Sequence, residues 1–179
     1  MIRRLAVIGV GLIGGSLARA LRAAGCVGEV VGCGRSAANL ERALELGVID
    51  RWSHDPAQAV AGADLVFVAV PLGTMGQVFG AIRDALAPDA VVTDGGSVKG
   101  SVVLDARAAF GQGPPRLVPG HPIAGTERSG VDASFPELYQ GRRVILTPLA
   151  ETDPRAVERV TAMWEACGAD VTLMEVAHH

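Results

Sequence analysis

His121 is the residue whose sequence setting is best suited to acid–base chemistry. It lies in the segment GHPIAGTE, residues 120–127, where glycines and a proline predict a stiff loop. An imidazole is the side chain that most readily accepts a proton near neutral pH. The preceding residues 116–118 read as a strand, so His121 should lie at the carboxyl edge of a sheet, where open α/β folds bind ligands. We therefore expect His121 to be a catalytic base rather than a core or surface histidine.

A glycine-rich segment near the N-terminus predicts the second half of this chemistry. Residues 9–14 read GVGLIG, between a short apolar strand at 5–8 and a helix. In such a loop the first glycine permits a tight turn, the second lets the backbone approach a pyrophosphate, and the third lets the helix pack on the strand. A nicotinamide accepts a hydride, so together with His121 this loop predicts oxidation of an alcohol. The residues expected to bind the dinucleotide here are Gly9, Gly11, Leu12, Ile13 and Gly14.

The end of the second predicted strand bears on the choice between NAD and NADP. NAD-binding domains place a carboxylate about twenty positions after the glycine loop, where it binds the ribose 2′-hydroxyl. That position here is Gly34, which cannot repel a 2′-phosphate, and Arg35 and Ser36 follow it with a guanidinium and a hydroxyl. We expect NADP, or tolerance of both cofactors, rather than strict NAD. The alternative is that Ser36 only caps the next helix while Arg35 is solvated.

A further cofactor contact is expected where the most apolar strand, predicted at 65–70, reaches the same edge. Val70, Pro71 and Leu72 lie there and would face the ribose and nicotinamide. Taken alone, Pro71 could equally serve only to end the strand.

The next strand ends in DGGSVKG, residues 94–100, with two glycines and a serine. Ser97 could orient the imidazole of His121 or bind substrate, or it could cap the helix that begins near Lys99. Lys99 is expected to be a surface cation or an electrostatic neighbour of the site rather than a base.

Strands and helices alternate along the chain, which predicts an α/β fold with a doubly wound, mainly parallel sheet of the Rossmann type. Residues 1–179 are expected to form one dinucleotide-binding domain. The predicted strands cover residues 5–8, 29–32, 65–70, 90–93, 116–118, 143–146 and 171–174. The predicted helices cover residues 14–24, 36–46, a short turn from 55, 74–87, 99–109 and 154–167.

Composition and charge exclude several classes of partner. Of the 179 residues 49% are hydrophobic but only 4% are aromatic, as in parallel strands covered by helices. The net charge is only −3 and the sequence contains no run of like charges, so we expect neither a nucleic-acid nor a membrane partner. The pair His178-His179 lacks an acidic or thiol partner, and no metal site is expected.

The cysteines and the N-terminus predict a soluble, cytoplasmic protein. Cys26, Cys33 and Cys167 are widely spaced and odd in number, which favours reduced thiols over disulfides. Arg3-Arg4 before the apolar residues 5–17 superficially resembles a secretory leader, but the glycines in that run occupy positions that the nucleotide loop requires.

Four segments together resemble the prephenate/arogenate (cyclohexadienyl) dehydrogenase family of tyrosine biosynthesis. They are VIGVGLIGGSLARAL, GSVKG, GHPIAGTERSGV and LYQGRRVILTP, and they follow the family's order over essentially the whole chain. The resemblance implies a small-molecule substrate and NAD(P)-dependent oxidative decarboxylation: C4 of a cyclohexadienol gives up a hydride, CO2 leaves and the ring becomes aromatic. Prephenate would give 4-hydroxyphenylpyruvate, and arogenate would give tyrosine.

The resemblance also implies roles for single residues. His121 matches the catalytic histidine that accepts the proton of the substrate 4-hydroxyl, and Ser97 matches the serine that orients it and contacts the same hydroxyl. Glu127 matches a glutamate near the substrate entrance. Many members carry aspartate where this chain has Gly34, which agrees with the expectation of NADP.

The resemblance implies a second domain as well. Family members continue into a helical domain that dimerises and supplies an arginine for the substrate carboxylate, and this chain stops at His179, about where that domain would begin. We expect this chain to bind cofactor but to turn over substrate poorly alone, and the complete protein to be a homodimer. Two other classes stay open: another Rossmann dehydrogenase, of the β-hydroxyacid or imine-reducing type, and a non-catalytic nucleotide-sensing module.

Overall fold

The main sheet has six strands, and every neighbouring pair in it is parallel. The computed structural model describes residues 1–111 and 116–179. The strands are β1 (Ile2–Ile8), β2 (Val27–Cys33), β3 (Arg51–Ser53), β4 (Leu65–Val68), β5 (Val91–Asp94) and β6 (Leu117–Val118). Their order, β3-β2-β1-β4-β5-β6, reverses direction between β1 and β4. Ligands bind such sheets in the crevice at that reversal, beyond the carboxyl ends of the strands.

Helices cover both faces of this sheet, which confirms the doubly wound prediction. Side chains alternate across β1: Leu5 and Val7 enter one core, and Ala6 and Ile8 enter the other. The first core is closed by α1, α2 and α6, and the second by α3, α4 and α5. The helices are α1 (Leu12–Ala23), α2 (Ala37–Glu45), α3 (Pro56–Val60), α4 (Leu72–Ile82), α5 (Lys99–Phe110) and α6 (Pro154–Ala166).

A second, three-stranded sheet holds His121 and corrects the loop expectation for it. Its strands are β7 (Gly120–Pro122), β8 (Arg143–Leu146) and β9 (Asp170–Leu173), with β7 antiparallel and β9 parallel to β8. His121 is paired with Ile145 in this sheet. The flanking glycine and proline suggested irregular backbone, but pairing with a distant strand fixes the segment as a strand, and such pairing leaves no local signal. The imidazole therefore projects from a sheet rather than from a loop.

The other differences from the predicted elements are one short strand and several element ends. The strand β3 was not predicted, since three residues are too few to show an alternating pattern. The strand β4 ends at Val68, and α4 runs over 72–82 instead of 74–87 because Pro71 already occupies its N-cap and the chain turns away before Pro88. All three cysteines are free, as expected. Within residues 1–111 and 116–179 no helix combines the length and apolar character needed to cross a membrane.

Candidate active site and cofactor crevice

A crevice of about 650 Å³ opens at the carboxyl ends of β1, β2 and β4. It brings together three segments that the sequence singled out separately: the glycine loop, the residues after β2 and the residues after β4. Seven predicted cofactor residues line it: Gly9, Gly11, Gly34, Arg35, Ser36, Val70 and Pro71. Pro71 therefore faces the crevice and occupies the N-cap of α4, three residues after β4 ends at Val68.

The three glycines of the loop have the geometry that a dinucleotide cradle requires. Gly9 has φ +98°, and a Cβ atom there would lie 2.2 Å from the carbonyl oxygen of Ala69. A Cβ atom on Gly14 would lie 2.1 Å from the carbonyl oxygen of Gly9, so only glycine lets α1 pack this closely on β1. A Cβ atom on Gly11 would meet no atom within 4 Å. The backbone at Gly11 is thus open to the crevice, and the cradle fits a pyrophosphate at the N-terminus of α1.

Residues far along the chain hold this glycine loop in place. The hydroxyl of Tyr139 donates a hydrogen bond to the carbonyl of Ile13 at 2.6 Å. The side-chain amide of Asn39 donates to the carbonyl of Val10 at 2.7 Å and accepts from the backbone N–H of Val131 at 3.1 Å. The sequence did not indicate either role, because both contacts join segments that are distant in the chain.

The end of the crevice beside β2 contains the residues expected to select the cofactor. Ser36 caps α2, since its hydroxyl accepts from the backbone N–H of Asn39 at 3.2 Å, and it also lines the crevice. Arg35 is exposed there. His54 is exposed and lines the same crevice, and its Nδ1 atom lies 2.8 Å from the carbonyl oxygen of Gly34. Because a carbonyl only accepts, Nδ1 carries the proton, and Nε2 stays free.

Three crevice residues on α4 were not predicted from the sequence: Thr74, Gln77 and Val78. Thr74 and Gln77 are three positions apart and therefore share one side of the helix, and both line the crevice. A usable signal existed, since the helix directly after a strand at the reversal point faces the cofactor site.

Ser97 lies in the loop between β5 and α5, and its side chain is exposed. The N-cap of α5 is Val98 and no side chain caps that helix, so the capping interpretation of Ser97 is wrong.

The predicted cofactor residues Ile13 and Leu72 approach the loop that contains Ser97. A Cβ atom on Gly95 would lie 3.3 Å from Ile13 Cγ2, and one on Gly96 would lie 3.1 Å from Leu72 Cδ2. The other predicted contact, Leu12, is a buried core residue of α1.

His121 is half-buried, and its Nδ1 atom lies 2.9 Å from Nε2 of His179. The two rings are tilted by 57° with centroids 5.0 Å apart. Burial lowers the pKa of His121, and the neighbouring His179 and Lys99 lower it further. A lowered pKa keeps the imidazole neutral at physiological pH, which is the form that can accept a proton.

Lys99 corrects the expectation of a surface cation and agrees with the alternative of an electrostatic neighbour. Its side chain is buried and forms an ion pair with Asp94, which is also buried. Its Nζ atom also donates to the carbonyl oxygen of Gly120 at 2.6 Å. The ammonium group of Lys99 is therefore hydrogen-bonded to the residue that precedes His121.

Glu127 lies apart from the cofactor crevice. It is exposed and lines a separate cavity of about 550 Å³, with Thr126, Arg128 and Phe135 among the other lining residues. Its proposed place at a substrate entrance stays a prediction. In the part of the chain that the structure describes, no three His, Cys, Asp or Glu side chains cluster as a metal site would require.

The parallel strand order, the glycine cradle and the crevice at the reversal point together define a dinucleotide-binding domain of the Rossmann type. A family model described as the nucleotide-binding domain of prephenate dehydrogenase matches residues 17–173. The chain belongs to this family. The match includes Ser97, His121 and Glu127.

Relatives and solved structures agree with this assignment. The chain is 41% identical to a cyclohexadienyl dehydrogenase of Zymomonas mobilis, over 99% of the chain and 60% of the relative. Prephenate dehydrogenase of Aquifex aeolicus, solved with hydroxyphenyl propionate and NAD+, superimposes with a TM-score of 0.92 at 36% identity, over 100% of this chain and 62% of that one. Arogenate dehydrogenase of Synechocystis gives a TM-score of 0.89 at 30% identity, over 98% and 61%. The chain spans less than two thirds of each of these proteins.

Proposed function

We propose that the complete protein catalyses the NAD(P)-dependent oxidative decarboxylation of prephenate or arogenate, and that this chain supplies the cofactor site and the catalytic base. Family membership and the names of the relatives support the reaction class. The observation that carries the proposal for this chain is a half-buried imidazole, His121, whose lowered pKa keeps it neutral beside the loop that bears Ser97.

The proposed chemistry assigns the proton to His121. When bound, the nicotinamide supplies an acceptor for the hydride that leaves C4 of the substrate. Nδ1 of His121 lies within hydrogen-bond distance of His179, and with the ring proton on Nδ1 the Nε2 atom is the one that accepts the proton of the substrate 4-hydroxyl. Ser97 would hydrogen-bond the same hydroxyl and fix its direction, and Glu127 would lie nearer the entrance. Loss of CO2 leaves its bonding electrons in the ring, and the proton returns from His121 to the new phenolic oxygen.

We propose NADP as the preferred cofactor, with NAD as the alternative. Gly34 places no carboxylate at the ribose end of the crevice, and the cation of Arg35 and the hydroxyl of Ser36 border the same end. These groups suit a 2′-phosphate better than a bare hydroxyl. Competitive binding of NADP and NAD to the protein, measured by titration calorimetry, tests this choice. Tighter binding of NAD than of NADP would contradict it.

We also propose that the complete protein is a cytoplasmic homodimer, whose remaining sequence closes the substrate site and binds the substrate carboxylate. The chain's coverage of at most 62% of the relatives' lengths leaves room for such a part. Light scattering of the full-length protein would show the dimer, and a monomeric mass under assay conditions would contradict it.

The proposed reaction is tested by incubating the full-length protein with prephenate or arogenate and either cofactor. Formation of reduced nucleotide together with 4-hydroxyphenylpyruvate or tyrosine is expected, and the comparison identifies the substrate. Nucleotide binding without turnover of either compound would instead support a sensing module.

A further inference from the structure

A buried ion pair connects the two segments that carry the proposed catalytic residues. Asp94 is 0% exposed and Lys99 is 1% exposed. Besides pairing with Lys99, the carboxylate of Asp94 accepts hydrogen bonds from the backbone N–H of Gly96 at 2.8 Å and of Gly120 at 3.0 Å. The ammonium group of Lys99 donates to the carbonyl of Gly120 at 2.6 Å. Both backbone polar groups of Gly120 are thus bound by this one pair.

The position of the pair in the fold makes these contacts consequential. Asp94 is the last residue of β5 and Lys99 is the first residue of α5, so the pair closes the loop that contains Ser97. Gly120 immediately precedes His121 on β7. A Cβ atom on Gly120 would lie 3.1 Å from the carbonyl oxygen of Asp94, so the two segments are in close backbone contact.

Stability alone does not explain this pair. A buried ion pair gains little over well-packed apolar residues of the same volume, because the desolvation of two charges offsets their attraction. An apolar pair, however, could not bind both the N–H and the C=O of Gly120. It would also place no positive charge beside the residue that precedes His121.

The charged and titratable groups around His121 come from three elements. Lys99 faces it from α5, with Asp94 at the end of β5 as the countercharge, and His179 faces it from the C-terminal turn. From β8 the paired residue is the apolar Ile145. Burial is the largest cause of the lowered pKa of His121, and His179 and Lys99 act in the same direction.

We propose that Lys99 and Asp94 are positioning residues for the reaction assigned above, holding the Ser97 loop and the His121 strand in register, and that Lys99 places its positive charge against the strand that carries His121. This inference rests on the proposed function. It assigns a use to the lysine of the GSVKG segment without contact between that lysine and the substrate.

The test is the double variant D94N/K99M in the full-length protein, since it removes both charges together. Either single variant would leave one buried charge unpaired, which is strongly destabilising. We expect cofactor affinity to change less than about threefold, and kcat to fall about tenfold to a hundredfold, as small misplacements of catalytic groups do. The midpoint of the acidic limb of kcat/KM should rise toward that of an ordinary histidine. Wild-type kcat with an unmoved acidic limb would overturn the proposal.

The matched control is the ion pair Arg159–Asp64, which joins Nη2 and Oδ2 at 2.7 Å. Asp64 precedes β4 and accepts from the backbone N–H groups of Arg3 and Arg4, so it lies at the opposite, amino edge of the sheet. The variant D64N/R159M should lower Tm without moving the acidic limb. If it moves the limb as much as D94N/K99M does, the shift is a general effect of lost charge and the proposal fails.

Two further measurements keep the test decisive. If D94N/K99M does not fold, the variant K99R replaces it, because arginine keeps the positive charge. We expect K99R to lower kcat without changing the pH midpoint of the acidic limb. Wild-type kcat in K99R would overturn the positioning role, and a higher pH midpoint of the acidic limb would overturn the electrostatic role. NMR titration of the His121 imidazole reports on the electrostatic role even without turnover. A wild-type protein that turns over neither substrate would count against the proposed function, whereas an imidazole titration unchanged in D94N/K99M would count against this inference.

Discussion

Nδ1 of His121 and Nε2 of His179 lie 2.9 Å apart, within hydrogen-bond distance. Between two neutral imidazoles one nitrogen must donate and the other accept. If His121 donates through Nδ1, its lone pair is on Nε2, which is the arrangement that a base acting on a substrate hydroxyl needs. His179 therefore orients the imidazole of His121, and the role of base assigned to Nε2 requires that His121 donate and His179 accept in this contact.

Replacing His179 with alanine should impair catalysis more than binding. The expected result in the full-length protein is a fall in kcat of about tenfold, because the imidazole of His121 loses its orienting partner, while cofactor affinity is kept. The pKa of His121 should also rise, since His179 is one cause of its lowering. The neighbouring His178, whose side chain is 73% exposed, provides the control in His178→Ala. Equal effects of the two variants would contradict the assignment.

The pH dependence of the reaction follows from the direction of the His121 shift. A lowered pKa means that the neutral base persists to more acidic pH than for an ordinary histidine, whose pKa is about 6.5. Activity should therefore be full at neutral pH and be lost as the pH falls through the lowered pKa. The profile of kcat/KM against pH measures this. An acidic limb centred above that of an ordinary histidine would show that another group, or another environment, controls the reaction.

Two glycine-to-alanine changes separate cofactor binding from folding. Gly11→Ala adds a methyl group that meets no protein atom within 4 Å but projects where the pyrophosphate would lie. We expect unchanged Tm and a loss of nucleotide affinity of about tenfold or more, or about 1.4 kcal/mol. Gly80→Ala, on an exposed turn of α4 with no atom within 4 Å, is the control and should stabilise the protein by about 1 kcal/mol without changing affinity. Undiminished nucleotide binding in Gly11→Ala would place the pyrophosphate elsewhere.

Gly34→Asp should reverse the preference between the two cofactors. A Cβ atom at Gly34 would be in ordinary contact with Leu40 at 3.6 Å, so the fold can accept the side chain. The new carboxylate would repel a 2′-phosphate and could bind a 2′-hydroxyl, and we expect NADP affinity to fall about 100-fold while NAD affinity is kept or improved. Gly80→Asp adds the same charge outside the crevice and should change neither. Calorimetric titration of both variants measures the ratio, and an unchanged ratio in Gly34→Asp would remove Gly34 from cofactor selection.

The sequence predicted those features whose signals are local. The glycine loop, the parallel strands and the position of Ser97 after its strand follow from short patterns and from the rule that parallel strands share a carboxyl edge. The crevice residues Gly34, Arg35 and Ser36 were found in the same way.

Features that depend on distant contacts were not predicted. Tyr139 and Asn39 hold the glycine loop through hydrogen bonds across long sequence separations. The charge of Lys99 suggested a surface residue, because burial of a lysine depends on a partner that only the fold brings close, here Asp94. His121 was expected in a loop because its strand partner is in β8.

The most direct measurement of the central claim is the effect of His121→Asn on turnover and on cofactor binding in the full-length protein. Asparagine keeps a polar side chain of similar size but cannot accept a proton at neutral pH. We predict that kcat with prephenate or arogenate falls about 100-fold to 10,000-fold while the affinity for NADP stays within about twofold of wild type. Turnover at the wild-type rate in His121→Asn would contradict it, because the proton would then have another acceptor.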